Sequence, residues 1–291
     1  MTTGSPSSRR YAIWTIAFTA CSMLMFEILL TRVCALRLIF HFSFLVVSNC
    51  MLGIGASGSL ITLMSGRFSR RPRYWIGIFC LLYVGSLLAT YVFLSRFHVN
   101  SDFTRLWTFD TVRFFIYTFF GALPIFFGGC VIGLILTFHA DIVNRAYGYD
   151  LIGAGLGCLL CPLFLSLFGS GGCLVVVVML GIVAVFCSYR GRLARLVHAV
   201  GGLAMIVGVL ILPDLDRYFP VNGKNDLQLT QKDHARLIRN NIEFSEWSAI
   251  SRIDMQPVRE EDRLLFCRGS NTEKLPLPEE KLIVQDCVAG T

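Results

Sequence analysis

The chain has 291 residues, 55% of them hydrophobic and only 15% charged, with a mean hydropathy of +0.64 and a formal net charge of +7. Soluble domains carry about 25% charged residues, so a water-soluble enzyme of one or two domains is excluded, as is a disordered chain. The 26 glycines follow no collagen-like period, which excludes a fibrous protein and leaves an integral membrane protein.

Charge divides the chain at Pro213. Residues 1–213 hold fifteen Arg, no Lys and five acids (Glu27, Asp102, Asp110, Asp141, Asp150), a net of +10. Residues 214–291 hold seven Arg and four Lys against fourteen acids, a net of −3. The positive charge therefore reads as topology and contact with the lipid bilayer, not as a nucleic-acid signal, because Arg beside apolar spans marks cytoplasmic loops.

Residues 1–10 (MTTGSPSSRR) are polar and then basic. The apolar run that follows is too long for a signal-peptide core and lacks a small-residue cleavage site, so it is an uncleaved helix. A transmembrane helical domain is predicted over 11–213, with spans at 11–35, 40–65, 74–95, 113–138, 150–168, 172–189 and 196–212. The last barely reaches the ~20 residues a crossing needs. The short connections 36–39 and 169–171 predict antiparallel neighbours. Ten arginines (Arg9, Arg10, Arg67, Arg70, Arg71, Arg73, Arg145, Arg190, Arg192, Arg195) fall in alternate connections, against four (Arg37, Arg96, Arg105, Arg113) in the others. That bias places the N-terminus in the cytoplasm. Seven crossings put the tail outside; a seventh segment lying in the interface returns it inside, and both topologies stay open.

The tail opens with a Pro/Asp/Gly-rich linker over 214–240 carrying a short helix around QKDHARLIRNNIEF. Over 241–291, EWSAISRIDMQPVREEDRLLFCRGS alternates in polarity around a charged turn, VREED, which predicts a β-hairpin, and KLIVQDC predicts a third strand. A hairpin and one strand make a small, incomplete sheet, so the tail is expected to need a partner.

Gly53-Ile54-Gly55-Ala56-Ser57-Gly58 spells G-x-G-x-x-G, but its flanks are membrane-helix material and no acid follows at the spacing a dinucleotide needs. It reads as close helix packing, as does the GxxxG pair Gly153 and Gly157. Cys158 and Cys161 form a CxxC without further ligands and read as packing residues. The polar residues inside apolar spans carry more weight, since an ionisable group there costs ~2.5–3.5 kcal/mol on insertion scales. Glu27, in FEILLTR, is expected to meet Asn49 or Ser48 on a neighbouring helix, as structural glue or as a proton or ligand site. Arg32 lies nearer the helix end and can snorkel. Asp150 opens the fifth span, where a carboxylate at a helix N-terminus caps free N–H groups. Pro124 is expected to kink the fourth span. The sequence carries no G-x-S-x-G, P-loop or metal-ligand cluster, so no catalytic, cofactor-binding or metal-binding residue is assigned.

FEILLTRVCALRLIFHFSFLVVSNCMLGIGASG, ALPIFFGGCVIGLILT and YGYDLIGAGLGCLLCP together resemble the multi-span membrane domain of bacterial membrane-fused spermidine-synthase-like (polyamine aminopropyltransferase-like) proteins. EWSAISRIDM and LIVQDCVAGT resemble the β-region that precedes their catalytic domain. The resemblance implies a bacterial inner-membrane location. It also implies a Rossmann-like catalytic half, binding decarboxylated S-adenosylmethionine, that would follow Thr291. No residue here matches the family's glycine-rich cofactor motif or catalytic acid, so no cofactor is assigned and aminopropyl transfer requires a catalytic domain supplied in trans.

The expected fold is thus an all-α polytopic bundle of about seven transmembrane helices with a small β-rich soluble C-terminal appendage. Two roles of different class follow. One is a non-catalytic membrane anchor or accessory for a soluble protein partner; the other is a small-molecule carrier using intramembrane Glu27.

Overall fold

The computed structural model describes residues 6–37, 43–96, 109–188, 194–211, 244–248, 251–257, 281–285 and 289–290. Helices dominate. In chain order they are α1 (Pro6–Arg37), α2 (Ser43–Leu63), the one-turn α3 (Ser65–Ser69), α4 (Pro72–Arg96), α5 (Phe109–Phe138), a 3-10 turn (Ala140–Ile142), α6 (Val143–Ser188) and α7 (Ala194–Ile211). Four stretches are long and apolar enough to cross a membrane: Arg10–Ala35, Pro72–Phe93, Phe119–Phe138 and Ala140–Ser188. Val47–Leu63 and Val197–Leu210 are shorter apolar helices. Apolar side chains with no alternation of polarity cover these helices, as expected where lipid rather than water is the outer solvent.

The last long stretch is not one rod. Gly169 sits at φ 67°, ψ −171°, a left-handed conformation open to glycine because it lacks a Cβ. The chain reverses there. A straight helix would separate residues 161 and 173 by about 18 Å, yet the Cys161 and Cys173 sulfurs lie 3.9 Å apart. Both arms, 143–168 and 170–188, pack on α1. Gly153 faces the Ala17 carbonyl and Gly157 the Cys21 carbonyl, backbone against backbone, while Ser22 of α1 donates to the Val177 carbonyl at 2.7 Å. With its only proton so placed, Ser22 accepts from the Tyr83 hydroxyl of α4 at 2.8 Å. One hydroxyl pair therefore joins three elements.

Pro124 lies inside α5. It removes the N–H that would have bonded the carbonyl four residues back, at Phe120. The buried Thr90 hydroxyl of α4 donates to that carbonyl at 2.8 Å, the side-chain remedy by which membrane helices tolerate proline. The G-x-G-x-x-G stretch is continuous helix within α2: Gly53 presses on the Ala122 and Phe126 backbone of α5, whereas Gly55 and Gly58 face open space. It forms a packing face, not a phosphate loop.

Antiparallel α7 follows the second arm of α6, with Gly201 against Phe186 and Gly208 against Met179 and Val175. The described strands are β1 (Phe244–Trp247), β2 (Arg252–Pro257), β3 (Lys281–Gln285) and β4 (Ala289–Gly290), in sheet order β1-β2-β3-β4. The pairings are antiparallel, with Trp247 opposite Arg252 and Met255 opposite Ile283. β1 and β2 form a hairpin across 248–251, closed by the Ser248 N–H to the Ser251 carbonyl at 2.8 Å; β2 ends at Pro257, and its second neighbour is β3. Residues 258–262, and the linker and short helix expected over 214–240, lie outside the described residues. Trp247 is buried in the same apolar cluster as Leu165 and Leu174 of α6, and seats β1 against that helix.

Candidate functional site

Polar groups in this apolar bundle gather at two levels. The first surrounds Glu27, on α1 eight residues, or about 12 Å, before the end of its apolar stretch at Ala35. Glu27 is half-buried and has no hydrogen-bond or ion-pair partner among the described residues. The expected pairing with Asn49 or Ser48 is not formed. Ser48 faces outward and Asn49 is half-buried, while the next residue, Cys50, turns fully inward. One residue is a rotation of about 100° on a helix, so Cys50 is the α2 group that feels the Glu27 charge.

Arg32 is half-buried on α1 and lies within electrostatic reach of Cys161. The cysteine beside Cys161 is Cys173, across the Gly169 reversal. Cys158, the other half of the CxxC, is exposed. The fold-back at Gly169, not the helical spacing of the CxxC, supplies the neighbour of Cys161.

Asp150 does not cap a helix. α6 begins at Val143, after the 3-10 turn 140–142, so Asp150 is half-buried two turns inside the helix, where the backbone N–H groups already have partners. The sequence opened this span at 150, but the helix begins seven residues earlier, at Val143. The structure does not bring Glu27, Arg32, Asn49 and Asp150 into one site.

The second polar level joins the α1 N-terminal half to the end of α5. The Tyr11 hydroxyl and His139 Nε2 are 2.8 Å apart, and the Arg73 guanidinium lies 3.9 Å from the Tyr11 ring centroid. Arg73 also donates through Nε to the Ser188 carbonyl at 3.4 Å. His139 Nδ1 is buried without a partner among the described residues. Burial holds the His139 ring below the ordinary imidazole value of 6.5; Arg73 lowers it further, while Asp141 and the Ile135 carbonyl oppose. A neutral ring accepting from Tyr11 fits these surroundings.

Sequence reading missed this cluster because Tyr11, Arg73 and His139 lie on three separate elements. It also passed over Thr15, Thr19 and Ser22, buried hydroxyls at i, i+4 and i+7 on one face of α1. That spacing was legible, and Thr15 and Thr19 carry hydroxyls unpartnered among the described residues. No group of three or more potential metal ligands occurs among the described residues.

No protein-family model, no curated protein and no solved structure matches this chain.

Proposed function

We propose that the chain is a membrane module of the spermidine-synthase-like kind, in which about seven spans anchor a small β-rich appendage that docks a soluble protein partner. The observation that carries this is the seat of β1 on α6 through buried Trp247, with the sheet order leaving β4 at the other edge. A sheet edge offers N–H and C=O groups to an added strand, which is a common mode of protein recognition.

The topology belongs to the same proposal. The Arg-rich connections favour a cytoplasmic N-terminus in a bacterial inner membrane. Antiparallel packing of α7 on the second arm of α6, from Gly201 at Phe186 to Gly208 at Val175, supports a seventh crossing, which puts the tail on the opposite side. Labelling of Ser248→Cys, in a background lacking the native cysteines, by a membrane-impermeant maleimide tests this. Intact spheroplasts should label as fully as lysed ones; labelling only after lysis refutes the topology. For the partner role, a photocrosslinker at exposed Ile283 in β3 should trap one soluble protein, and Val284→Pro, which breaks the strand, should abolish the product. A tail that crosslinks nothing in its native membrane refutes it.

A second role, a small-molecule carrier coupled through Glu27, is favoured by the absence of a hydrogen-bond partner for that carboxyl among the described residues. It is weakened by the cavity between α4, α6 and α7, which is apolar and not lined by Glu27. Uptake into proteoliposomes unchanged by Glu27→Gln would exclude it.

A further inference from the structure

Cys161 and Cys173 are both fully buried, and their sulfurs lie 3.9 Å apart. The Cys173 sulfur is also 3.9 Å from the Cys161 carbonyl. The two residues belong to opposite arms of α6 and meet because Gly169, at φ 67°, turns the chain back between them. A disulfide holds its sulfurs about 2.05 Å apart, so the pair must close by about 2 Å to bond, a movement on the scale of a side-chain rotation. Arg32 of α1 lies within electrostatic reach of Cys161. The thiolate is the form that attacks a disulfide, and a nearby guanidinium favours its charge. One arm therefore carries a nucleophile and the other a thiol placed to resolve what it forms.

The β-sheet lies over this pair. Cys173 is four residues past the reversal, about 6 Å of helix. Leu165, one turn beyond Cys161, and Leu174, next to Cys173, are buried in one cluster with both cysteines and Trp247. Trp247 seats β1 on α6, so a soluble oxidant reaches the sulfurs only when that seat lifts. Conversely, a bond between the arms fixes Leu165 relative to Leu174 and with them the surface on which Trp247 rests. We infer that Cys161 and Cys173 are a redox-active pair that forms a disulfide by exchange with a soluble disulfide such as oxidised glutathione, and that this bond locks β1 onto α6. In the first step the Cys161 thiolate attacks one sulfur of glutathione disulfide, whose S–S bond breaks and releases one glutathione thiolate. That thiolate takes the Cys173 proton. The Cys173 thiolate then attacks the Cys161 sulfur and expels the second glutathione, which takes up the proton that Cys161 had lost. The pair gives up two electrons and two protons, and one glutathione disulfide becomes two thiols. The mixed intermediate is short-lived because its second thiol is already in position.

The test uses the full chain in nanodiscs, equilibrated with oxidised glutathione, after which remaining thiols are alkylated and the peptides mapped by mass spectrometry. A Cys161–Cys173 bond should form and be reversed by excess reduced glutathione, whereas exposed Cys158 should carry only a glutathione adduct. Trp247→Ala, which removes the cover, should speed bond formation about tenfold, since a site reached through local opening reacts in proportion to the open population. Phe244→Ala, at an exposed position of the same strand, should leave the rate unchanged. Oxidation should also slow hydrogen exchange across 244–247 about tenfold in the wild type and leave it unchanged in Cys173→Ser. Cys161 and Cys173 that are both still alkylated after oxidation of Trp247→Ala overturn the redox assignment. A bond whose rate ignores Trp247→Ala, or whose formation leaves β1 exchange unchanged, overturns the lock.

Discussion

The Thr90–Phe120 hydrogen bond offers a quantitative test of how the bundle accommodates Pro124. Thr90→Val keeps the shape of the side chain and deletes the donor, leaving the Phe120 carbonyl unpaired beside Pro124. An unsatisfied buried polar group costs about 1–3 kcal/mol, while side-chain hydrogen bonds between membrane helices measure about 0.6 and at most about 1.7. The Phe120 carbonyl has lost its helical donor, so the expected loss lies toward the upper end, about 1–2 kcal/mol. Pro124→Ala restores the N–H of residue 124 and gives that carbonyl its ordinary helical partner. In that background Thr90→Val should cost less than about 0.5 kcal/mol, for a coupling of roughly 1 kcal/mol in the double-mutant cycle. Unfolding of the purified protein in mixed micelles, followed by circular dichroism against the fraction of denaturing detergent, measures all four corners. Equal cost of Thr90→Val in both backgrounds would refute the compensation, and with it the placement of α4 against α5 at this level.

Other outcomes follow from the same contacts. Gly153→Ala and Gly157→Ala drive a methyl group into the Ala17 and Cys21 carbonyls and should each destabilise by about 1–3 kcal/mol. Gly155→Ala, facing open space, should be neutral or stabilise by up to about 1 kcal/mol; thermal unfolding that ranks Gly155→Ala with the other two refutes the α1–α6 packing. Mild oxidation with copper phenanthroline should join Cys161 to Cys173 and not to Cys158, as read by peptide mass mapping, and a Cys158–Cys161 product would count against the reversal at Gly169. With its ring held below 6.5, His139 takes up a proton less readily in the folded than in the unfolded chain. Stability is therefore full above about pH 6.5 and declines as the pH falls below it. His139→Gln should flatten the profile of melting temperature between pH 5 and 7.5; an unchanged slope would show that another group carries it.

Much of the helical layout was legible because it depends on local, one-dimensional quantities. A run of about twenty apolar residues has one low-energy solution in lipid, a helix, wherever its neighbours lie. The apolar spans, Gly169 as a reversal point and the small-residue face at Gly153 and Gly157 could thus be read in order along the chain. The ends of elements were harder. Asp150 looked like a cap because the polar and aromatic residues before it resemble a boundary, yet α6 continues back to Val143. The Ser248–Ser251 hydrogen bond closes a hairpin turn that the charge pattern did not mark.

The sequence by itself determined that this chain is a largely helical, apolar protein with its positive charge in alternate connections, because composition and hydropathy act residue by residue. Only the tertiary structure decided which polar groups meet. Glu27 stands by Cys50 instead of Asn49, Cys161 meets Cys173 instead of Cys158, and Thr90 serves the carbonyl that Pro124 orphans. Such pairings depend on the rotation and depth of one helix against another. A shift of one residue turns a side chain by about 100°, and the close approaches that set those rotations exist only once the helices have packed.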